Sequence, residues 1–419
     1  MQAQERVHAL DAVRAFALLL GIAFHAMLSF LPSFGWPIVD TSHSTALLFF
    51  AGFSHMFRMP LFFIVAGYFG RMMYHRRGAA GFVRDRARRI ALPWILFWPP
   101  MVVTLAILMV WGAERSPFRE TFPPLPALGV DTVPLTHLWF LYYLIWIYAL
   151  ALATRELVAR VLDRSGSLRA RIDAAVARLV SSGTAPLAFS APMAAVAVLS
   201  PAWNPALGMP TPDHSLVPEL VSGCGYSVAF GVGWLWQRDA RLLQAMSRRI
   251  RSSLVLTFLC LVVAWGTGDA VARGAAPPAV RALAALCGSM AMWYFNTAVL
   301  GYAVRRFAAA SAWTRYLADA SYWLYIAHLP LVVALQGLVA PWPLHWSLKL
   351  LLIVAVTTAL LLASYHYAVR ATWLGALLNG RRRPRTLAAS VDPEPFRTGT
   401  DVPGLGRPGP GTGDLTGAG

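Results

Sequence analysis

Apolar stretches close to the length of a membrane crossing recur along this chain from Leu10 to Val369. That recurrence decides which solvent the fold answers to. The hydrocarbon core of a bilayer is about 30 Å thick and takes roughly 20 helical residues to cross. Inside it every backbone N–H and C=O must find a partner within the protein, so spanning segments are built as helices. The mean hydropathy is +0.55, and charged residues make up 13% of the chain, about half the share in a soluble domain. The sequence therefore predicts an all-α, polytopic membrane helix bundle of about ten transmembrane helices, near 10–31, 45–70, 90–112, 136–154, 186–203, 218–236, 253–269, 281–304, 319–340 and 347–369.

A net charge of +17 invites a nucleic-acid reading, but the arrangement of the charges excludes it. Arginines gather in alternate loops: Arg71 to Arg89, Arg155 to Arg178, Arg238 to Arg251, Arg305 to Arg315 and Arg381 to Arg385. The loops between hold little besides Arg115, Arg119 and Arg273. This is the positive-inside pattern. It places both termini in the cytoplasm and requires an even number of crossings. The basic loops meet anionic lipid heads, not nucleic acid. Cys224, Cys260 and Cys287 fall in predicted spans and form no disulfide framework. One membrane domain is expected over 1–380, with a disordered cytoplasmic Gly/Pro-rich tail over 381–419. The proline-rich loop from Glu114 to Thr136 and the loop from Asn204 to Pro218 have the composition of lids over a cavity.

Ionisable residues inside apolar spans are costly and line polar cavities. The first span holds Arg14 and His25, eleven positions apart. That is about three helical turns, so both point the same way at depths roughly 16 Å apart. The second span holds His55 and Arg58, neighbours on one helical face. Pro60 follows them and is expected to break the helix near mid-membrane. Gly67 allows close approach of another helix or of a ligand. His137 opens the fourth span and His328 lies in the ninth. A lone intramembrane histidine can simply hydrogen-bond across helices, but Arg14 and His25 share one face at two depths. The run Arg84, Arg86, Arg88 and Arg89 is denser than lipid anchoring requires. Guanidinium groups clamp phosphates in bidentate fashion, which suits the 3′-phospho-ADP of coenzyme A. Without nearby Cys, Asp or Glu, these histidines make a poor metal set, and no metal is expected.

These residues resemble the integral-membrane acyltransferase-3 family. The resemblance rests on pieces spread in order along the chain. They are Leu10-Asp11 through Arg14 to His25, Phe57-Arg58-Met59 with Phe62 to Phe69, Arg84 to Pro93, His137 to Leu141, and Ser321 to Pro330 with His328. Within the family the chain is most similar to the glucan biosynthesis protein C branch, which is associated with succinylating periplasmic glucans. Where the family has Ser-Gly, this chain has Ala66-Gly67, so that hydroxyl has no counterpart. The resemblance implies an acyltransferase in a bacterial inner membrane that moves an acyl group, succinyl or acetyl, from cytoplasmic acyl-CoA to a hydroxyl of an extracytoplasmic carbohydrate.

On that reading His25 is the general base or a transient nucleophile. Arg14 orients the thioester arm or steadies developing charge. His55, Arg58, His137 and His328 bind substrate. Arg84, Arg86, Arg88 and Arg89 take the acyl-CoA phosphates. The rival from another class is a transporter or flippase for a glycan or anionic metabolite. Against it, acidic residues such as Asp11 and Asp319 lie only at span ends, whereas coupled carriers keep a carboxylate at depth.

Overall fold

A computed structural model describes residues 3–32, 36–114, 129–200, 203–205, 207–239, 241–309 and 311–384. Among these residues every regular element is helical; the only β pairing consists of two isolated bridges. The chain runs α1 (Ala3–Met27), α2 (Ala46–Arg86), α3 (Leu92–Ala113), α4 (Trp139–Leu157), α5 (Ser167–Ser182), α6 (Ala185–Leu199) and α7 (Leu220–Trp236). It continues through α8 (Arg241–Ser247), α9 (Ile250–Gly266), α10 (Gly268–Ala272), α11 (Pro278–Arg306), α12 (Ala312–Val339), α13 (Trp346–Ser364) and α14 (Trp373–Asn379). Much of the proline-rich loop expected between α3 and α4, and nearly all of the tail expected from 381, lie outside the described residues. Residues up to Pro384 stay tied to the bundle: Arg383 N donates to Arg370 O (3.0 Å) and Arg370 Nε to Pro384 O (2.8 Å).

Among the described residues six helical segments are long and apolar enough to cross a membrane, or up to eight if each of two bent pairs counts as one crossing. The bent pairs are α5 with α6, at 111°, and α8 with α9, at 70°. This is fewer than the ten apolar segments of the sequence. Two of those segments fall in one helical run, Ala46–Gly112, of 67 residues. A straight helix of that length would measure about 100 Å, more than three hydrocarbon thicknesses. The run turns at Gly78, whose backbone (φ 65°, ψ −179°) is not helical. Glycine alone adopts that conformation without strain.

Pro60 does not break α2 as its position suggests. The helix continues through it, and Pro60 is buried. Helix–helix packing holds a membrane helix together across a proline that would end an isolated one. Gly67, about two turns further on, serves a helix and not a ligand. A Cβ there would overlap the Phe230 carbonyl of α7, and a Cβ on Gly233 of α7 would overlap the Ile64 carbonyl of α2. The two glycines let the backbones touch, as small residues do where membrane helices cross. Elsewhere α9 lies along α11, α6 packs on α11, and α1 on α12.

Candidate functional site

One cavity of about 840 Å³ runs between α1, α2, α3, α4 and α12. That is within the range of small-molecule sites. Arg14 and His25 both line it, so the spacing in α1 does aim the two side chains into a common space. So do His55 and Arg58 from α2, His137 at the start of α4, and His328 from α12. Of the arginine run, Arg86 and Arg89 line the cavity, whereas Arg84 and Arg88 are exposed and outside its lining. The separation follows from helical periodicity: residues 84 and 88 share one face, and 86 and 89 another.

The basic end is organised by a buried carboxylate. Asp85 accepts from Arg77 Nη1 (3.0 Å) and Arg86 Nη2 (2.5 Å) and is ion-paired with Arg89 Nε at 3.3 Å. It holds the Arg86 and Arg89 groups close together without neutralising the cluster. Arg86 Nη1 reaches Tyr148 Oη at 3.3 Å, and Tyr322 Oη donates to Arg89 O at 2.6 Å. Arg14 pairs with Asp11 at 3.3 Å and lies 6.0 Å from the Phe69 ring centre.

Further along, three imidazoles meet. The His328 ring lies 5.1 Å from that of His25 and 4.9 Å from that of His137, centre to centre. His137 Nε2–H donates to Ile326 O (3.0 Å) and His328 Nδ1–H to Tyr325 O (2.7 Å). Those bonds fix each tautomer and leave the other ring nitrogen as an acceptor. His137 Nδ1, His328 Nε2 and His25 Nδ1 are all buried with no partner among the described residues. Beside them Arg58, 5% exposed, stacks its guanidinium 4.1 Å over the Phe24 ring, and its Nη1 is also without a partner. Buried polar atoms are otherwise satisfied almost everywhere in proteins. His25, Arg58, His137 and His328 thus present open hydrogen-bonding atoms around one cavity, as a ligand-binding site requires. No group of three or more His, Cys, Asp or Glu among the described residues has the arrangement of a metal site.

Several lining or supporting residues escaped the sequence reading. Gln336, 1% exposed, donates from Nε2 to His25 O (2.9 Å) and Ala26 O (3.1 Å) and accepts from Trp36 Nε1 (2.9 Å). It lies two turns beyond His328 on α12, and that spacing was the signal available in the sequence. Trp36 stacks on His25 with ring centres 5.9 Å apart. Thr211, Asp213 and His214 reach the cavity from the loop before α7. Nothing local in the sequence marks these three, because a contact more than 150 positions from His55 is made only by the fold. Asp213 Oδ1 accepts from His214 Nδ1 at 2.8 Å, and this hydrogen bond raises the His214 pKa above its ordinary value.

Glucans biosynthesis protein C from Salmonella paratyphi B, Salmonella heidelberg and Salmonella enteritidis is in each case 32% identical to the chain over 144 residues. The match covers 33% of this chain and 36% of the relative, so the chain spans about a third of the length of the curated relatives it matches. No solved structure matches the chain. The acyltransferase-domain family model covers residues 7–366, from the start of α1 through α13, and with that coverage the chain belongs to the acyltransferase-3 family.

Proposed function

We propose that this protein is a membrane-embedded O-acyltransferase of a bacterial inner membrane that carries an acyl group, succinyl or acetyl, from cytoplasmic acyl-CoA to a hydroxyl of an extracytoplasmic glycan. The single observation that carries the reading is the cavity, with Arg14, Arg86 and Arg89 at one end and the His25, His137 and His328 cluster deeper in. The positive-inside pattern of the basic loops supports a cytoplasmic arginine end. On this reading the chain crosses ten times, twice within Ala46–Gly112, and both termini are cytoplasmic.

The residues divide the work by depth. Arg86 and Arg89, pre-set by Asp85, take the donor's phosphates. Arg84 and Arg88, outside the cavity, meet lipid heads instead. Arg14, about 16 Å from His25 along α1, orients the pantetheine arm. His25 accepts the proton of the acceptor hydroxyl as its oxygen bonds to the thioester carbonyl carbon. Negative charge gathers on the carbonyl oxygen, and Arg58, with its free Nη1 beside Phe24, is placed to steady it. The carbon–sulfur bond then breaks, and coenzyme A leaves as the thiol with the proton returned from the His25 imidazolium. His137 and His328 hold the acceptor through their open nitrogens.

The test is acyl transfer from labelled acyl-CoA by purified protein in proteoliposomes. His25→Ala is expected to lose roughly 10²–10⁴-fold in kcat, the usual contribution of a general base. Arg14→Ala is expected to raise KM for the donor. Wild-type turnover in folded His25→Ala overturns the role of His25. Movement of an unmodified substrate across the bilayer, with no acyl product, selects the carrier instead.

A further inference from the structure

Every charged side chain lining the cavity is basic except one. Arg14, Arg58, Arg86 and Arg89 stand along its length, and Asp213 is the sole carboxylate in the lining among the described residues. It comes from the segment between α6 and α7, which is stitched to the segment before α4. Leu135 N donates to Asp213 O (2.7 Å), Ser215 N to Val133 O (3.0 Å) and Leu216 N to Val130 O (2.9 Å). Tyr142 Oη holds Leu216 O at 2.5 Å. These bonds fix the backbone that carries Asp213 at the end of the cavity away from Arg86 and Arg89.

The polar groups at this end form a graded set. His55 Nδ1–H donates to Leu207 O (2.8 Å), so its Nε2 is an acceptor and takes the Thr211 hydroxyl proton (2.7 Å). The Thr211 oxygen keeps lone pairs for a ligand. Asp213 Oδ1 is engaged by His214, and Oδ2 has no partner among the described residues. Trp36 and Pro37 line the same cavity and supply apolar surface. Acceptor oxygens in a cavity that also carries a flat aromatic face suit a neutral polyol, whose hydroxyls donate outward and whose C–H faces stack. They repel the phosphates and carboxylates that the arginine end attracts.

We propose that Asp213 and Thr211, held by His214 and His55, form the acceptor subsite of the cavity and bind vicinal hydroxyls of a neutral carbohydrate. The cavity then sorts its two substrates by charge, the anionic donor to the arginines and the uncharged acceptor to the lone carboxylate. The assignment of which substrate is the acceptor rests on the acyl-transfer reading above; the binding itself does not.

The experiment therefore measures binding and turnover separately. Isothermal titration of the full-length protein in detergent uses the neutral gluco-oligosaccharide laminaritetraose as probe. Wild type is expected to bind, and Asp213→Asn, which keeps the shape and removes the charge, to bind about tenfold more weakly, the loss expected for one charge-assisted hydrogen bond. Thr211→Val is expected to weaken binding in the same direction. In turnover with labelled acyl-CoA, Asp213→Asn is expected to raise KM for laminaritetraose about tenfold and leave KM for the donor in place. Retained donor affinity also reports that the variant is folded. No binding of laminaritetraose by wild type, or equal binding by wild type, Asp213→Asn and Thr211→Val, overturns the subsite. Asp213-dependent binding with no acyl product from the wild type keeps the subsite and overturns the acyl-transfer reading.

Discussion

Lys349 is the one lysine of the sequence, and nothing around it in the chain says what it does. In the fold its Nζ lies 3.0 and 2.8 Å from the two oxygens of Asp40 and 3.1 Å from Ala340 O, with both side chains buried (1% and 2% exposed). A buried pair adds little over apolar side chains of the same shape, but removing one partner strands the other charge. Lys349→Met is expected to destabilise the protein by about 3–5 kcal/mol, and Asp40→Leu with Lys349→Met to recover most of that. Chemical denaturation of the three variants in detergent checks this; a double variant as unstable as the single one contradicts it. Arg14 and His25 are the opposite case. Their cost in an apolar run and their spacing mark them in the sequence alone, because both follow from the geometry of a single helix in a bilayer. Gln336 and Trp36, which hold and stack His25, become visible only when α1 and α12 are set side by side.

At the scale of elements, the α2–α7 crossing and the cap of α5 make testable statements. Gly67 and Gly233 meet the opposing backbones directly, so Gly67→Ala or Gly233→Ala forces the helices apart and is expected to cost about 1–3 kcal/mol. Gly231→Ala, on the same helix as Gly233 with nothing within 4 Å of the new methyl, is the control and is expected to be neutral or mildly stabilising. Melting in detergent separates them; equal behaviour of all three removes the close-packing argument.

Asp163 precedes α5 and receives Leu168 N (3.0 Å), Arg169 N (2.8 Å) and Arg169 Nε (2.9 Å). Burial pushes its pKa up, but these bonds outweigh it and bring it down to about 2. A carboxylate with a lowered folded-state pKa adds stability above its unfolded value, and that stability is lost as pH falls through the folded one. Asp163→Asn is therefore expected to melt below wild type at pH 7, with the gap closing as pH drops from about 4 toward 2. A gap independent of pH in that window excludes the ionised cap. The sequence marks the stretch from Arg155 to Arg178 only as a basic loop, and most of α5, Ser167–Ser182, lies within it. It also suggested a break at Pro60 that packing overrides.

For the whole molecule, the proposed topology predicts which surfaces are reachable from outside. In a protein lacking Cys224, Cys260 and Cys287, Asp131→Cys is expected to react with a membrane-impermeant maleimide on intact cells. Ser165→Cys is expected to react only after the membrane is opened. Labelling of both, or of Ser165→Cys alone, contradicts the even-numbered crossing with both termini inside. The same orientation puts Arg86 and Arg89 at the cytoplasmic mouth of the cavity and Asp213 at the far one, which is the polarity that the proposed two-substrate reaction requires.

The sequence by itself determined the solvent, the helical class, the family resemblance and the residues of α1 and α2 that face a cavity. Hydropathy, charge alternation and helical spacing are local or periodic properties, and they survive without knowledge of neighbours. Only the tertiary structure decided that Arg86 and Arg89, but not Arg84 and Arg88, enter the cavity. It alone gathered His25, His137 and His328 from three helices and brought Asp213 to the end of the cavity away from Arg86 and Arg89. Those outcomes depend on which helix faces abut, and contacts between residues a hundred or more positions apart leave no periodic trace in the chain.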